Sequence, residues 1–460
     1  MGRITLQQAA DWCGGRIDPK YADVTFLGAA NDSRSIVPGQ LFLALEGVRD
    51  GHAYIPMALE KGAAAVLCRH CDGDYPAIVV EDVRLALGRI AQQERKRLGI
   101  QVVGVTGSVG KSTTKEMIAC VLESTYRVAK TPANHNNDIG MPMAILSIPE
   151  DAQIAVLEMG MNHFGEIAYL SQIAQPDVGV IINIGTMHIE NLGSREGILQ
   201  AKMEIISGMQ KNGQLILNGD DALLQTVSQK AAFPITYFGV HNTACQVCGY
   251  DVQSENNRIN FGVRKDGKIC RIQLVLDGEH YVPDALAAVS VGMHFGISER
   301  EIEQSLASFR NMEGRQEILQ VKGCTIIKDY YNAGPESMAA ALKVLGNKPG
   351  RRIAVLGDML ELGVCAEAEH YRIGRIAVEH ADIILAYGPN GSRVVTGAIT
   401  GGKSPERARF FEDKQALVRT LCRMAQPGDV ILIKGSHGMH MEEVLDGFLS
   451  DGAHTAEDTL

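Results

Sequence analysis

Residues 101–114 read QVVGVTGSVGKSTT, and they carry the most specific local signal in the sequence. The apolar run at 101–105 is typical of a buried strand, and an amphipathic helical pattern follows over residues 115–122. Between them, glycines allow backbone N–H groups to close around phosphate oxygens, and the helix N-terminus adds the positive end of its dipole. The sequence therefore predicts a phosphate-binding loop between a strand and a helix.

The side chains of this loop suit a nucleoside triphosphate. Lys111 is expected to reach the β- and γ-phosphates, and Ser112 or Thr113 to bind Mg²⁺. The spacing is G-x-x-G-K-S rather than the strict G-x-x-x-x-G-K-[ST], so a glycine-rich turn with no ligand is the alternative. The residues predicted to contact phosphate are Gly107, Ser108, Val109, Gly110, Lys111, Ser112 and Thr113.

Two further strands of the same predicted sheet end in candidate metal ligands. Residues 154–157 are apolar and end in Glu158, and the apolar segment 178–184 is followed by His188. Because the carboxyl ends of parallel strands meet at the ligand crevice, both side chains are expected beside the phosphates as Mg²⁺ ligands. Taken alone, each would read as a solvated strand end or a structural histidine.

Strands and helices alternate along most of the chain, which predicts parallel sheets covered by helices. Strands are expected at 41–45, 64–67, 77–80, 214–217, 325–328, 353–356, 383–386 and 430–434, and helices at 82–98, 196–209, 336–345, 366–379 and 414–424. Short alternating segments between 232 and 280 predict a small antiparallel elaboration. The alternation restarts after Met312-Glu-Gly-Arg315, as a second α/β sheet.

Composition limits the class of protein. At about 150 residues per domain, 460 residues suggest three domains. A content of 45% apolar and 21% charged residues excludes disordered and fibrous chains, and a net charge of −10 argues against non-specific nucleic-acid binding. No apolar run approaches a membrane span or a signal peptide, so a cytoplasmic protein is expected. The Cys68/Cys71 and Cys245/Cys248 pairs are too far apart for a zinc ribbon and are read as reduced thiols.

The order of motifs resembles the Mur ligase family. The runs, from the N- to the C-terminal end, are NDSR, TGSVGKSTTKEM, TPANHNNDIGMP, EMGMNHFGEIAYL, NIGTMH, AKMEI, DYYNAGPESM, VLGDMLELG and ILIKGSHGMHME. The match extends from about residue 25 to residue 450, nearly the whole chain. So many runs in order are far more specific than the phosphate-binding loop alone.

The resemblance implies three domains: a small N-terminal α/β domain for a UDP-sugar substrate at 1–82, a central P-loop ATPase-like parallel sheet at 83–313, and a C-terminal Rossmann-like domain at 314–460. It implies an ATP-dependent amide ligase that joins D-alanyl-D-alanine (D-Ala-D-Ala) to UDP-N-acetylmuramoyl-tripeptide through an acyl phosphate, in the cytoplasmic synthesis of peptidoglycan precursors. The implied cofactors are ATP, two Mg²⁺ ions and a CO₂-derived carbamate on Lys202. A monomer is expected, with neither nucleic acid nor a membrane span.

The resemblance also implies roles for individual residues. Lys111, Lys202 and His188 are the implied catalytic residues, and Ser112, Thr113, Glu158, His188 and carbamylated Lys202 the metal ligands. ATP is expected to contact Asp284, Arg315, Asp329, Tyr331 and Asn332 as well as the phosphate loop. The implied substrate residues are Ser33, Arg34, Asp50, Gly51, His52, Asn134, Asn136, Asn137 and His437.

Three positions depart from the family pattern. Asp284 replaces an asparagine, which removes an amide donor toward adenine, and Gly334 removes a side chain in Y-N-A-x-P. His437 stands where arginine is usual, and a neutral imidazole cannot form a bidentate grip on a carboxylate. Two alternatives stay open: a sister Mur-type or folylpolyglutamate-type amino-acid ligase, and a nucleotide-binding paralogue without activity.

Overall fold

The structure, a computed structural model, describes residues 4–229, 232–255, 257–312 and 314–450. These residues form two compact units: the described parts of 1–182, 199–248 and 285–305 make the first, and those of 183–198, 249–284 and 306–460 the second. The predicted α/β class with parallel sheets is confirmed. The domain limits at residues 82 and 313 stay a prediction.

The N-terminal part of the first unit contains a short antiparallel pair and a small parallel sheet. β1 pairs with β2, and the sheet has the order β3-β4-β5-β6 with every neighbour parallel. The elements are β1 (Ile4–Thr5), α1 (Leu6–Cys13), β2 (Thr25–Phe26), β3 (Ala29–Ala30), β4 (Leu41–Leu43), α2 (Ile55–Glu60), β5 (Ala65–Cys68), β6 (Ala77–Val79) and α3 (Val83–Leu98).

A larger parallel sheet of the first unit carries the phosphate-binding loop. Its strand order is β12-β11-β10-β7-β9-β8, and all of these neighbours are parallel. The elements along this part of the chain are β7 (Gln101–Thr106), α4 (Lys111–Leu122), β8 (Val128–Lys130), α5 (Gly140–Leu146), β9 (Ile154–Glu158), α6 (Glu166–Ala174), β10 (Val178–Ile181), α7 (Ile189–Leu192), α8 (Arg195–Met203), β11 (Gln214–Asn218), α9 (Ala222–Gln225) and β12 (Ile235–Gly239). Of these, α7 belongs to the second unit. β7, β9 and β10 are almost completely buried, as strands covered by helices on both faces must be.

The predicted antiparallel elaboration between 232 and 280 is only partly right. β12 pairs in parallel with β11, and Phe238 and Gly239 of β12 pair in parallel with Val247 and Cys248. β14 and β15 form the antiparallel pair. Alternation of apolar and polar residues shows that a segment is a strand but does not encode the direction of its neighbour. The elements here are β13 (Val247–Glu255), β14 (Arg258–Lys265), β15 (Lys268–Leu274), α10 (Val282–His294) and α11 (Glu299–Ser308).

The second unit contains the C-terminal sheet, in the order β16-β17-β21-β18-β19-β20. Its strands are parallel except for β16, which pairs antiparallel with β17. The elements are β16 (Glu317–Val321), β17 (Cys324–Lys328), α12 (Pro335–Gly346), β18 (Arg352–Gly357), α13 (Ala366–His380), β19 (Ile383–Tyr387), α14 (Gly391–Thr400), β20 (Ala408–Phe411), α15 (Lys414–Met424), β21 (Val430–Lys434) and α16 (Glu442–Ser450). Separate apolar clusters pack on its two faces.

Two expected elements end earlier than the sequence suggested. The strand expected over 178–184 ends at Ile181, and the helix expected over 196–209 ends at Met203 before a single 3₁₀ turn. No helix within the described ranges is long and apolar enough to cross a membrane.

Candidate active site

The phosphate-binding loop has the predicted position between β7 and α4. Gly110 precedes α4 with a φ of +83°, a left-handed conformation that glycine adopts without strain. Lys111 Nζ donates hydrogen bonds to the carbonyl oxygens of Gly107 (3.0 Å) and Ser108 (3.3 Å), so the ammonium group lies over the loop. Ser112 and Thr113 are buried in the first turn of the helix. A lysine ammonium group over a glycine-containing loop at the N-terminus of a helix suits a phosphate chain.

Glu158 lies at the same edge of the sheet as this loop. In the register of β7 and β9 it is paired with Val105, just before the loop begins. The carboxylate is 2% exposed; Oε1 accepts a hydrogen bond from Asn136 Nδ2 (2.8 Å), and Oε2 is a buried atom with no hydrogen-bond partner within the described residues. A buried oxygen of this kind suits a cation, because leaving it unpaired is costly.

The sequence analysis missed Lys115, the buried cation nearest this carboxylate. Its side chain is completely buried, and Nζ donates a hydrogen bond to the Thr131 carbonyl oxygen (2.7 Å). The same atom lies 3.2 Å from Glu116 Oε1 and 3.9 Å from Glu158 Oε2. Lys115 therefore provides a fixed positive charge behind Glu158. In the run K-S-T-T-K, no local feature of the sequence distinguishes it from a surface lysine at the start of a helix.

Lys202 lies on α8 and is 1% exposed. Burial, and then the nearby charge of Lys111, hold the pKa of its ammonium group well below the ordinary lysine value. Within the described parts of the chain, no carboxylate lies at ion-pair distance from it. Its neutral amine form is therefore favoured, and a neutral amine is a nucleophile.

Among the described residues, no three His, Cys, Asp or Glu side chains are grouped to hold a metal ion. The donor set beside the phosphate loop still fits Mg²⁺, because that ion takes few protein carboxylates and completes its shell with water and phosphate oxygens. Donors of this kind in the first unit include Glu158, whose Oε2 accepts no hydrogen bond within the described residues, and the hydroxyls of Ser112 and Thr113.

In the second unit, predicted ATP-binding residues gather at the ends of β17 and β21. Lys434 is 2% exposed, and its Nζ lies 2.8 Å from Asp329 Oδ2 and donates to the Asn332 carbonyl oxygen (3.0 Å). The Arg315 guanidinium carbon lies 4.3 Å from the centre of the Tyr331 ring, a cation–π distance. The structure thus brings Arg315, Asp329, Tyr331 and Asn332 into one region, with Lys434 as a member that the sequence analysis did not single out.

Asp284 lies at the start of α10 in the same unit and is 5% exposed. Its negative charge contributes to raising the pKa of Tyr281, after burial and the charge of Asp329. Tyr281 Oη accepts a hydrogen bond from Asn311 Nδ2 (2.8 Å). Asp284 and Tyr281 are thus both buried, Tyr281 in the 3₁₀ turn that precedes α10 and Asp284 in its first turn.

His188 also lies in the second unit, directly before α7. Its φ is +63°, a conformation that is unusual for a residue other than glycine. Nδ1 lies 2.8 Å from Glu361 Oε2, and Glu361 has a φ of +63° as well. The side chain is 13% exposed, so this contact holds a largely buried imidazole.

The predicted substrate residues of the N-terminal part lie around the ends of β3 and β4. Ser33 is buried, whereas the Arg34 side chain is 82% exposed and its Nη2 pairs with Asp32 Oδ2 at 2.7 Å. Asp50 Oδ1 lies 2.7 Å from His52 Nδ1. At Gly51 an added Cβ would lie 2.6 Å from the backbone N and O of Leu45, so only glycine fits this turn.

The three asparagines of TPANHNN differ in their contacts. Asn136 binds Glu158, as described above, and Asn137 Oδ1 accepts from the backbone N–H groups of Ile139 (3.2 Å) and Gly140 (2.8 Å) at the start of α5. The Asn134 carbonyl accepts from Asn136 N (2.7 Å), and the Asn134 side chain is exposed. Asn136 is thus oriented toward the Glu158 carboxylate, and Asn137 stabilises a helix end.

The C-terminal departures have distinct settings. His437 is exposed and its ring lies 6.4 Å from that of Tyr331, centre to centre. At Gly334 an added Cβ would lie 2.8 Å from Met187 Cγ, so the missing side chain makes room for Met187.

The cysteines do not form a reactive pair. All ten are free thiols, and burial raises the pKa of Cys68 to about 12 and of Cys245 to about 11. A thiol with so high a pKa is protonated at neutral pH and is a poor nucleophile and metal ligand.

Comparison with known proteins agrees with this geometry. The Mur ligase middle domain matches residues 105–292, and the Mur ligase, glutamate ligase domain matches residues 314–437. The UDP-N-acetylmuramoyl-tripeptide–D-alanyl-D-alanine ligase of Bacillus subtilis is 39% identical over 97% of this chain and 98% of its own, and that of Escherichia coli is 34% identical over 98% and 99%.

Solved structures give the same result. A crystal structure of MurF from Acinetobacter baumannii superposes with a TM-score of 0.89 at 31% identity, covering 98% of this chain and 99% of its own. MurF ligase from Thermotoga maritima in complex with ADP gives a TM-score of 0.81 at 28% identity, covering 93% and 98%. The phosphate loop and the buried lysine fit these whole-length similarities. The chain belongs to the Mur ligase family.

Proposed function

We propose that this protein is the ATP-dependent ligase that adds D-Ala-D-Ala to UDP-N-acetylmuramoyl-tripeptide, in a cytoplasmic step of peptidoglycan precursor synthesis. The observation that carries the proposal is Lys202, a buried lysine whose pKa is lowered by burial and by the phosphate-loop Lys111. A protein that only bound nucleotide would have no use for a neutral amine there. The relatives with this name match over nearly their whole length.

The reaction must make a carboxylate electrophilic. The carboxylate oxygen of the tripeptide attacks the γ-phosphorus of ATP, the bond to the β-phosphate oxygen breaks, and ADP leaves. The amine of the dipeptide then attacks the acyl carbon and loses a proton, and inorganic phosphate leaves with the electrons of the acyl C–O bond. Lys111 and the N-terminus of α4 offset the repulsion between the two anions in the first step.

Lys202 would act as a carbamate. Its neutral Nζ attacks the carbon of CO₂ and loses a proton, which converts a buried neutral amine into an anionic oxygen ligand. Such a group, Glu158, His188 and the hydroxyls of Ser112 and Thr113 would hold the proposed Mg²⁺ ions. When bound, Mg²⁺ supplies positive charge at the transferring phosphoryl group.

The remaining assignments belong to the same proposal. Gly107–Thr113, Asp284, Arg315, Asp329, Tyr331 and Asn332 bind ATP, and Ser33, Arg34, Asp50–His52, Asn134, Asn136, Asn137 and His437 contact the UDP-sugar peptide or the dipeptide. The N-terminal domain at 1–82 holds the UDP-sugar, 83–313 is catalytic, and 314–460 closes over ATP. The protein works as a cytoplasmic monomer.

Phosphate release from ATP tests the proposal, with UDP-N-acetylmuramoyl-tripeptide present and D-Ala-D-Ala added or omitted. We expect phosphate release that depends on the dipeptide and a product larger by one dipeptide. The K111A variant should lose activity by a factor of about 1,000 or more, because the lost charge lies at the transferring group. Ligation of single amino acids but not of the dipeptide would instead identify a sister ligase.

A further inference from the structure

The segment 183–198 carries His188 and falls in the same compact unit as the C-terminal sheet. Inside that unit, three contacts fix the segment. Arg195 Nη2 donates to the Ile184 carbonyl oxygen (2.7 Å), Met187 lies against Gly334, and Thr186 binds Glu336. Thr186 and Met187, the two residues before His188, are therefore held by the C-terminal part of the chain, and the Arg195 hydrogen bond joins the two ends of the segment to each other.

Glu336 makes the most specific of these contacts. Its Oε1 accepts hydrogen bonds from both Thr186 N (3.0 Å) and Thr186 Oγ1 (3.0 Å). Hydrogen bonds to an ionised carboxylate are stronger than bonds between neutral groups, and two donors on one residue fix the backbone as well as the side chain. The second oxygen, Oε2, is buried without a hydrogen-bond partner in the described residues. The carboxylate is thus held in place by Thr186.

Glu336 also lies in the first turn of α12, where a negative charge stabilises a helix through its dipole. That role alone needs no partner, and an exposed glutamate fulfils it equally well. Glu367 is an example: it lies in the first turn of α13, is 68% exposed and lies 2.9 Å from Arg393 Nη2. Glu336 differs because its carboxylate reaches a segment 150 residues away in sequence.

We propose that Glu336 is a positioning residue: by binding both donors of Thr186 it fixes the backbone that carries His188, a residue with a proposed role as a metal ligand. The role of His188 rests on the proposed function; the contact between Glu336 and Thr186 does not. Gly334 contributes by leaving space for the side chain of Met187, which lies between Thr186 and His188 in sequence.

The test measures metal binding apart from turnover. Mn²⁺ binding to the full-length protein with a non-hydrolysable ATP analogue is followed by electron paramagnetic resonance, together with kcat, the KM values and Tm. The variants are E336A, E336Q, T186V, T186S and the double variant T186V/E336A, with E367A as the matched control for a first-turn glutamate.

We expect E336A to weaken Mn²⁺ binding about 10-fold, the usual size of an outer-shell effect on a metal site. E336Q should lose less, because its amide oxygen still accepts a hydrogen bond, and T186S should match the wild type. T186V should have an intermediate effect, because it keeps the backbone donor. The double variant should bind Mn²⁺ no more weakly than E336A does, and E367A should bind it as the wild type does.

Three outcomes would overturn the proposal. The first is that E336A binds Mn²⁺ within 2-fold of the wild type. A lowered Tm of this variant would then reflect only the lost interaction of Glu336 with the helix dipole. The second is that the double variant weakens Mn²⁺ binding by the product of the factors measured for T186V and E336A. This would show that the two residues act separately. The third is a wild type that does not bind Mn²⁺ with the analogue, which would contradict the proposed metal site itself. An absence of dipeptide ligation with normal Mn²⁺ binding contradicts the proposed function only.

Discussion

Asn136 Nδ2 donates a hydrogen bond to Glu158 Oε1 at 2.8 Å, and Glu158 Oε2 has no hydrogen-bond partner in the described residues. The amide thus fixes one oxygen of the carboxylate and leaves the other for a ligand. We expect N136A to lower kcat/KM about 10- to 100-fold and to raise the Mg²⁺ concentration for half-maximal activity, because the carboxylate loses its orientation.

The neighbouring residue provides the control. Asn137 accepts two backbone N–H groups at the start of α5, so N137A should cost about 1 kcal/mol of unfolding free energy. The dependence on Mg²⁺ should stay that of the wild type. Identical Mg²⁺ titrations for N136A and wild type would contradict the assignment of Glu158 as a metal ligand.

Lys202 should be replaceable in part by a small carboxylic acid. K202A loses the amine that would form the carbamate, and we expect a loss of activity that acetate or formate partly restores, since either can occupy the space with an anionic oxygen. The measurement is initial phosphate release against acid concentration. K111A should show no rescue, and full activity of K202A in CO₂-free buffer would disprove the carbamate.

The stability of the same site should depend on pH. The Lys202 pKa is lowered in the folded state, so the unfolded chain binds one more proton between the folded and the unfolded pKa. Lys202 therefore lowers the free energy of unfolding most at low pH. This loss of stability decreases as the pH rises toward the lysine pKa of the unfolded chain, near 10.5. K202M should be more stable by about 1 kcal/mol or more at pH 7.

Urea unfolding in CO₂-free buffer at pH 7 and pH 9.5 measures this difference. The gap between K202M and wild type should narrow at the higher pH. K211M, at an exposed lysine, should show no such gap at either pH. A gap that stays constant or widens would mean that Lys202 is charged in the folded protein.

Lys115 should be essential for stability. K115M removes the buried positive charge and leaves Glu158 without its nearest cation, which typically costs about 3–5 kcal/mol. K130M is the matched control: Lys130 pairs with the same Glu116, but it is 37% exposed, so its loss should cost less than about 1 kcal/mol. Equal midpoints of urea unfolding for the two variants would contradict this.

The phosphate loop, the parallel sheets and most of the strands could be predicted because each has a local signal: an apolar run, a glycine turn and a helical period. Lys115 could not, because a lysine on an amphipathic helix reads as solvated unless the tertiary structure buries it. The predicted antiparallel pairing at β12 was wrong for a related reason, since the residues of a strand do not specify whether its neighbour runs parallel or antiparallel. The contact of Glu336 with Thr186 joins residues 150 positions apart and leaves no sequence signal.

His188 and Glu361 meet at 2.8 Å, and each has a φ of +63°. A left-handed conformation costs a residue with a side chain roughly 1–2 kcal/mol that glycine does not lose. Thermostability engineering guided by the backbone alone would therefore favour glycine at both positions. It would gain unfolding free energy and remove the imidazole and the carboxylate together, so these two positions should be held fixed in any design of a more stable form.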